Sequence, residues 1–172
     1  MISQSVIVPD RSTADAKGAE TQQNLVRHVP AGTGRAYWGP GERITILTTG
    51  EETGGAFFLA EIEVAPGGGT PPHIHRREDE AFHMLEGSLT IQVGGNTITA
   101  SAGDFAFLPR GVVHSFKNTS AASAKALVLT TPSGLEGFFA EVFDPATDRF
   151  ACGARQGSGN RDQGTEKQQS SE

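Results

Sequence analysis

The chain has a single cysteine, Cys152, among 172 residues, so no disulfide can form within it. A lone thiol agrees with a reducing compartment, and a cytoplasmic location is the expectation. Long apolar runs are also missing. No stretch approaches the roughly 18 consecutive apolar residues of a membrane-spanning helix. The opening segment from Met1 to Pro9 lacks the charged leader and sustained apolar stretch of a secretory signal, so none is expected. Basic clusters are scarce: 14 Lys and Arg stand against 20 Asp and Glu, for a net charge of −6. No run of cations can neutralise a row of phosphates and no helical pattern suits a recognition helix, which argues against nucleic acid as a partner. Trp and Tyr occur once each against ten Phe, an aromatic content suited to apolar packing or an apolar pocket.

The length suits one domain of about 150 residues. Residues 1–35 are mostly polar and aperiodic and read as a flexible segment. The texture changes at Tyr37-Trp38-Gly39-Pro40-Gly41, and the run Arg43 to Thr49 has the alternation and β-branching of a strand. Gly54-Gly55 reads as a turn and Ala56 to Val64 as a longer strand. Leu89 to Val93, a turn at Gly94-Gly95-Asn96, and Thr97 to Ala100 read as a hairpin. Turn signals recurring every 8 to 12 residues predict an all-β barrel or sandwich. A last strand, Lys125 to Thr131, ends at Pro132. Ser133 and Glu136 then read as a capping box for a helix starting at 134, with Leu135, Phe138, Phe139 and Val142 on the face that closes the core. Residues 147–172 read as a disordered tail. The folded unit is thus expected over 36–146.

Two glycine-punctuated stretches carry the chemistry. In an extended strand residues i and i+2 project from one face, so His73 and His75 point into one space and can share an ion. The stretch from Gly103 to Asn118 brings a third histidine, His114.

Both stretches resemble the two signature motifs of the cupin family over their whole length. The first runs Gly67, five residues, His73-x-His75, four residues, Glu80, six residues, Gly87; the second runs Gly103, five residues, Pro109-x-Gly111, two residues, His114, three residues, Asn118. No position departs, and the similarity covers roughly residues 36 to 143. The resemblance implies a double-stranded β-helix (jelly-roll) barrel with a short C-terminal helix. It also implies one divalent metal per chain on His73, His75, Glu80 and His114, with Glu80 as the catalytic carboxylate. The fifteen residues between Gly87 and Gly103 leave no room for an inserted lid. Homodimerisation is a further implication, since exposed edges of small barrels are commonly paired.

Imidazole and carboxylate suit Fe, Mn, Co, Ni, Cu and Zn alike. Three neutral histidines and one carboxylate around a divalent ion leave a net +1 site, and six-coordination leaves two positions open for an anionic oxygen and for water or dioxygen. Parity sorts the neighbours. Phe82 and Met84 should face inward with Glu80, Val112 and Phe116 with His114, and Phe105 and Phe107 are assigned to the same interior, giving an apolar, aromatic substrate lining. His83 has the opposite parity and should face outward. Arg110 should be exposed, and Asp104 should fix a turn. The resulting expectation is a metal-dependent dioxygenase, resembling the quercetinase-like single-domain members, acting on an aromatic or enol-type small molecule. A non-oxidative cyclase or isomerase, or a binding or sensor module without turnover, are the alternatives.

Overall fold

The computed structural model describes residues 26–146. The flexible start and the disordered tail, read over 1–35 and 147–172, therefore fall mostly outside the described residues, as does Cys152. In chain order the elements are β1 (Ala36–Gly39), β2 (Glu42–Thr48), α1 (Gly50–Thr53), β3 (Phe58–Val64), β4 (Asp79–Glu86), β5 (Ser88–Val93), β6 (Asn96–Ser101), β7 (Phe105–Leu108), β8 (His114–Lys117), β9 (Ala124–Thr131), α2 (Leu135–Val142) and β10 (Asp144–Pro145). The strands form a seven-stranded sheet in the order β10-β1-β2-β3-β9-β4-β7 and a three-stranded sheet in the order β6-β5-β8. Every pairing is antiparallel. This is the all-β class that the turn spacing predicts, in the jelly-roll form that the cupin resemblance implies. Among the described residues no helix is long and apolar enough to cross a membrane.

The core lies between the sheets because the strands alternate. In β3, Phe58, Ala60, Ile62 and Val64 are buried while the residues between them are half-exposed; β9 repeats the pattern in register, with Phe58 opposite Thr130 and Val64 opposite Ala124. Apolar residues at every second position can bury only one face of each strand. Burial of such side chains, at about 25 cal/mol per Å² of apolar surface, is the main stabilising term.

Two local features differ from the sequence expectation. Thr49 and Glu52 cap a short helix, α1, where only a turn was expected. The cap of α2 is Gly134 instead of Ser133: the Glu136 carboxylate accepts from the Gly134 N–H at 2.8 Å with one oxygen and from the Gly50 N–H at 2.8 Å with the other. Gly134 has φ 145°, which the serine before it would adopt only under strain. Glu136 thus ties α2 to α1, and α2 lies across one end of the barrel. Its Phe139 packs on Phe58. Val142, expected on the packing face, is exposed, and Phe143 just beyond the helix packs against the core instead.

Candidate metal centre and cavity

The backbone brings the two motifs together. His73 and His114 form an isolated antiparallel bridge in which each N–H donates to the other's carbonyl at 2.9 Å. Directly opposed residues share a face, and the two rings stand 4.4 Å apart between centroids. The His75 ring lies 5.0 Å from that of His73 and 5.1 Å from that of His114. Glu80, near the start of β4, completes a group whose ligand atoms all lie within 4.8 Å of one another. Gly69 makes the close approach possible: at φ 148° it lies against β8, where a Cβ would collide with the Phe116 carbonyl.

Hydrogen bonding sets the tautomers. Nδ1 of His73 and of His114 lies 2.9 Å from the carbonyl of Pro71 and of Val112 respectively. A carbonyl only accepts, so each Nδ1 carries the hydrogen and each neutral ring keeps its Nε2 lone pair. Nε2 of His114 stands 3.2 Å, and that of His75 3.8 Å, from Glu80 Oε2. These three atoms are buried without a hydrogen-bond partner. Converging lone pairs with no donor are costly to bury, and a cation among them removes the cost. The Glu80 carboxylate raises the pKa of His114, while burial pushes that of His75 down. Imidazole nitrogens and one carboxylate form a donor set that fits a divalent transition metal.

Further bonds hold the motif ends. Arg110 donates to Asp79 from its main-chain N–H at 2.8 Å and from Nε and Nη2 at 3.1 and 2.7 Å. The exposed turn expected at Arg110 is therefore a clamp between the residue before Glu80 and the loop before His114, and it holds the Asp79 carboxyl down at about 2. Asn118 is fully buried and donates to the carbonyls of Val64 and Ala122 at 2.9 and 2.8 Å. Asp104 accepts from the Ser101 N–H at 2.8 Å, fixing the turn before β7.

A cavity of about 520 Å³ opens onto His73, His75 and Glu80. Ile44, Ile62, Phe82 and Val128 from the large sheet and Phe116 from the small one form its walls; Leu135, Phe138, Phe139 and Phe143 close it from the side of α2. The helix read as closing the core thus also lines the cavity.

Of the substrate-lining residues read from parity, Phe82 and Phe116 are on the cavity wall. Met84 faces inward with them but packs in the core, away from the cavity. Phe105 and Phe107 have to be corrected. They are 66% and 55% exposed, because β7 pairs with β4 with Ala106 opposite Phe82 and Leu108 opposite Glu80. Opposed residues share a face, so Ala106 and Leu108 point inward and the two phenylalanines outward. Val112 is corrected as well: it lies in the turn before β8, where strand parity does not apply, it is not part of the cavity lining, and its carbonyl accepts from His114 Nδ1. His83 is exposed on the outer face beside Phe105. Glu42, Ile44, Ile62 and Val128 escaped the sequence reading. Alternation through Glu42, Ile44 and Ile46 carried a signal for the first two, but the strand was read as starting at Arg43.

Comparison with known proteins agrees with this construction. The Cupin domain family matches residues 60–130. The tetracenomycin polyketide synthase protein TcmJ of Streptomyces glaucescens is 25% identical over 70% of this chain and 81% of its own length. Quercetin 2,3-dioxygenase of Bacillus subtilis is 32% identical over 58% of this chain, which spans only 29% of that enzyme. Among solved structures, the polyketide cyclase RemF from Streptomyces resistomycificus superposes with a TM-score of 0.55 at 28% identity, covering 63% of this chain and 80% of RemF. With both signature motifs intact, their four side chains gathered at one end of a jelly-roll barrel and the family match running through its central strands, the chain belongs to the cupin superfamily.

Proposed function

We propose that His73, His75, Glu80 and His114 hold one divalent transition metal, and that the chain is an enzyme which oxidises an enolic or phenolic aromatic compound with dioxygen. The observation that carries this reading is the pairing of buried, partnerless lone pairs with an apolar, Phe-rich cavity directly above them. The metal, when bound, supplies a Lewis acid for an anionic oxygen and a route for electrons to dioxygen. The chain supplies the rest. Four side chains fix the donor set, and the Nδ1 bonds to Pro71 and Val112 keep Nε2 available. Phe82, Phe116, Phe138 and Phe139 offer ring faces to an aromatic skeleton, and their apolar walls exclude water that would compete for the anionic oxygen.

The likeness to quercetin 2,3-dioxygenase supports the oxidative reaction. A second reading, ring closure without dioxygen, draws support from the two polyketide proteins, which this chain matches over most of their length. Elemental analysis, followed by oxygen-electrode and mass-spectrometric screening of the metal-loaded chain with flavonols and aromatic β-diketones, tests both. Oxygen uptake with an oxygenated product supports the first reading. An isomeric product without uptake supports the second, and binding without turnover would leave a sensor module. The chain is also proposed to form a homodimer, a reading supported by the exposed Phe105 and Phe107 on the edge strand β7.

A further inference from the structure

Glu42 is a carboxyl that the four-residue cluster does not use. It opens β2, is only 4% exposed, and forms part of the wall of the same cavity as His73, His75 and Glu80. Pairing with Gly39 and Val64 fixes its place, and alternation puts it on the inner face with Ile44 and Ile46. Arg43, its neighbour in sequence, has the opposite parity and gives its Nη1 to the Thr45 hydroxyl at 2.7 Å. Among the described residues no cation and no hydrogen-bond donor acts on the Glu42 carboxylate, and the charged group that faces it is Glu80, of like sign. Burial first and Glu80 second push its pKa up to about 7. A leucine or methionine would fill such a position at less cost to folding. A carboxyl kept there without a structural partner points to chemistry with whatever occupies the cavity.

We propose that Glu42 is a catalytic acid–base residue that exchanges one proton with the hydroxyl of a phenol or enol bound in the cavity. In the forward step the substrate O–H bond breaks, its electron pair remains on oxygen, and the proton bonds to the Glu42 carboxylate. The result is a neutral carboxyl facing an oxyanion. The reverse transfer returns the proton to the product. No oxidant or co-reactant is consumed. The rest of the cavity wall is largely apolar, and its other basic side chains, His73, His75 and Glu80, are the ones assigned to the metal, so Glu42 is the carboxylate left to take the proton. The inference rests on the reading of the cavity as the seat of an oxygen-bearing aromatic; it is independent of dioxygen and of which metal is bound.

The test uses the full chain loaded with zinc, which cannot turn over by redox chemistry, and 4-nitrophenol as probe. Infrared difference spectra on probe binding are expected to show the carbonyl stretch of a newly protonated carboxyl in the wild type. That band is expected to vanish in Glu42→Gln, at unchanged zinc content. The melting temperature of Glu42→Gln and of Glu42→Met is expected to equal or exceed that of the wild type, since an unpaired buried carboxylate is removed. A fall of several degrees in both variants would mark Glu42 as a structural group and overturn the proposal. Probe binding to the wild type without the carboxyl band, or with the same band in Glu42→Gln, would overturn the role of Glu42 and leave the cavity reading standing. If 4-nitrophenol and larger phenols fail to bind the wild type, the cavity reading and the proposal fall together.

Discussion

His73 and His114 are placed by main chain: each donates its N–H to the other's carbonyl at 2.9 Å, and their rings follow to 4.4 Å. A side-chain substitution at either position leaves those two backbone bonds intact. Ligand loss and fold loss should therefore separate.

His114→Ala is expected to abolish stoichiometric metal binding while retaining the far-ultraviolet spectrum of the barrel. In the wild type, metal at 100 times its Kd should stabilise the fold by about 2.7 kcal/mol, and this increment should be absent from the variant. Elemental analysis and melting curves with and without chelator check both statements. Full occupancy in His114→Ala would sink the ligand assignment.

His83→Ala should keep its metal. The side chain is exposed on the outer face of β4, opposite Phe105, and cannot turn inward without reversing Phe82 and Met84. Unchanged metal content and a melting temperature within a degree or two of the wild type are the expected results.

Arg110→Ala removes the clamp on Asp79, two partly exposed groups whose side chains meet at 2.7 Å. Exposed pairs contribute little to global stability, so the melting temperature should hardly move. The clamp instead limits motion between Glu80 and the loop that leads into His114, and metal affinity should weaken by up to roughly tenfold, read by competition with a chromogenic chelator. An unchanged affinity would show that the loop is set by the His73–His114 bridge alone.

Glu42 gives the metal-free protein a pH dependence with a definite sign. Its carboxyl has an ordinary value of 4.5 and is raised to about 7 in the fold by burial and by Glu80. Between these values the folded chain keeps a proton that the unfolded chain has released. The contribution of Glu42 is therefore fully favourable below about 4.5, declines as pH rises and flattens above about 7, for a loss on the order of 2–3 kcal/mol. Urea unfolding from pH 5 to 8 should show this decline in the wild type and a shallower one in Glu42→Gln; parallel curves would contradict it.

The proposed homodimer should depend on the outer face of β7. Phe105→Ser combined with Phe107→Ser is expected to convert a dimer into a monomer by sedimentation velocity, with metal content unaffected, because neither side chain reaches the centre. A dimer that survives the double substitution would move the interface elsewhere.

Much of this molecule was legible in the residues themselves. Parity put His73 and His75 together, the resemblance of both motifs to the cupin signatures marked the four clustered side chains, and alternation within single strands put Phe82 and Met84 on the inner face with Glu80 and turned His83 away. Local rules suffice there, because a strand's two faces follow from the geometry of neighbouring peptides. What they leave open is how one strand faces another. Parity says that Phe105 and Phe107 lie together, but only the register of β7 on β4, Ala106 against Phe82, decides that they lie outside. The same holds for Glu42: alternation with Ile44 and Ile46 can place it on one face of its strand, but it reaches the cavity because β2 pairs with β3 in a register that sets Ile44 against Ile62. The sequence by itself determined the strands and the β-rich class, which depend on contacts within a few residues, and through its two motifs it named the donor set that the His73–His114 bridge then assembles. Tertiary structure alone decided which phenylalanines meet the cavity, that α2 covers it and that a second carboxyl stands in its wall, because these depend on pairings between distant segments that no single segment encodes.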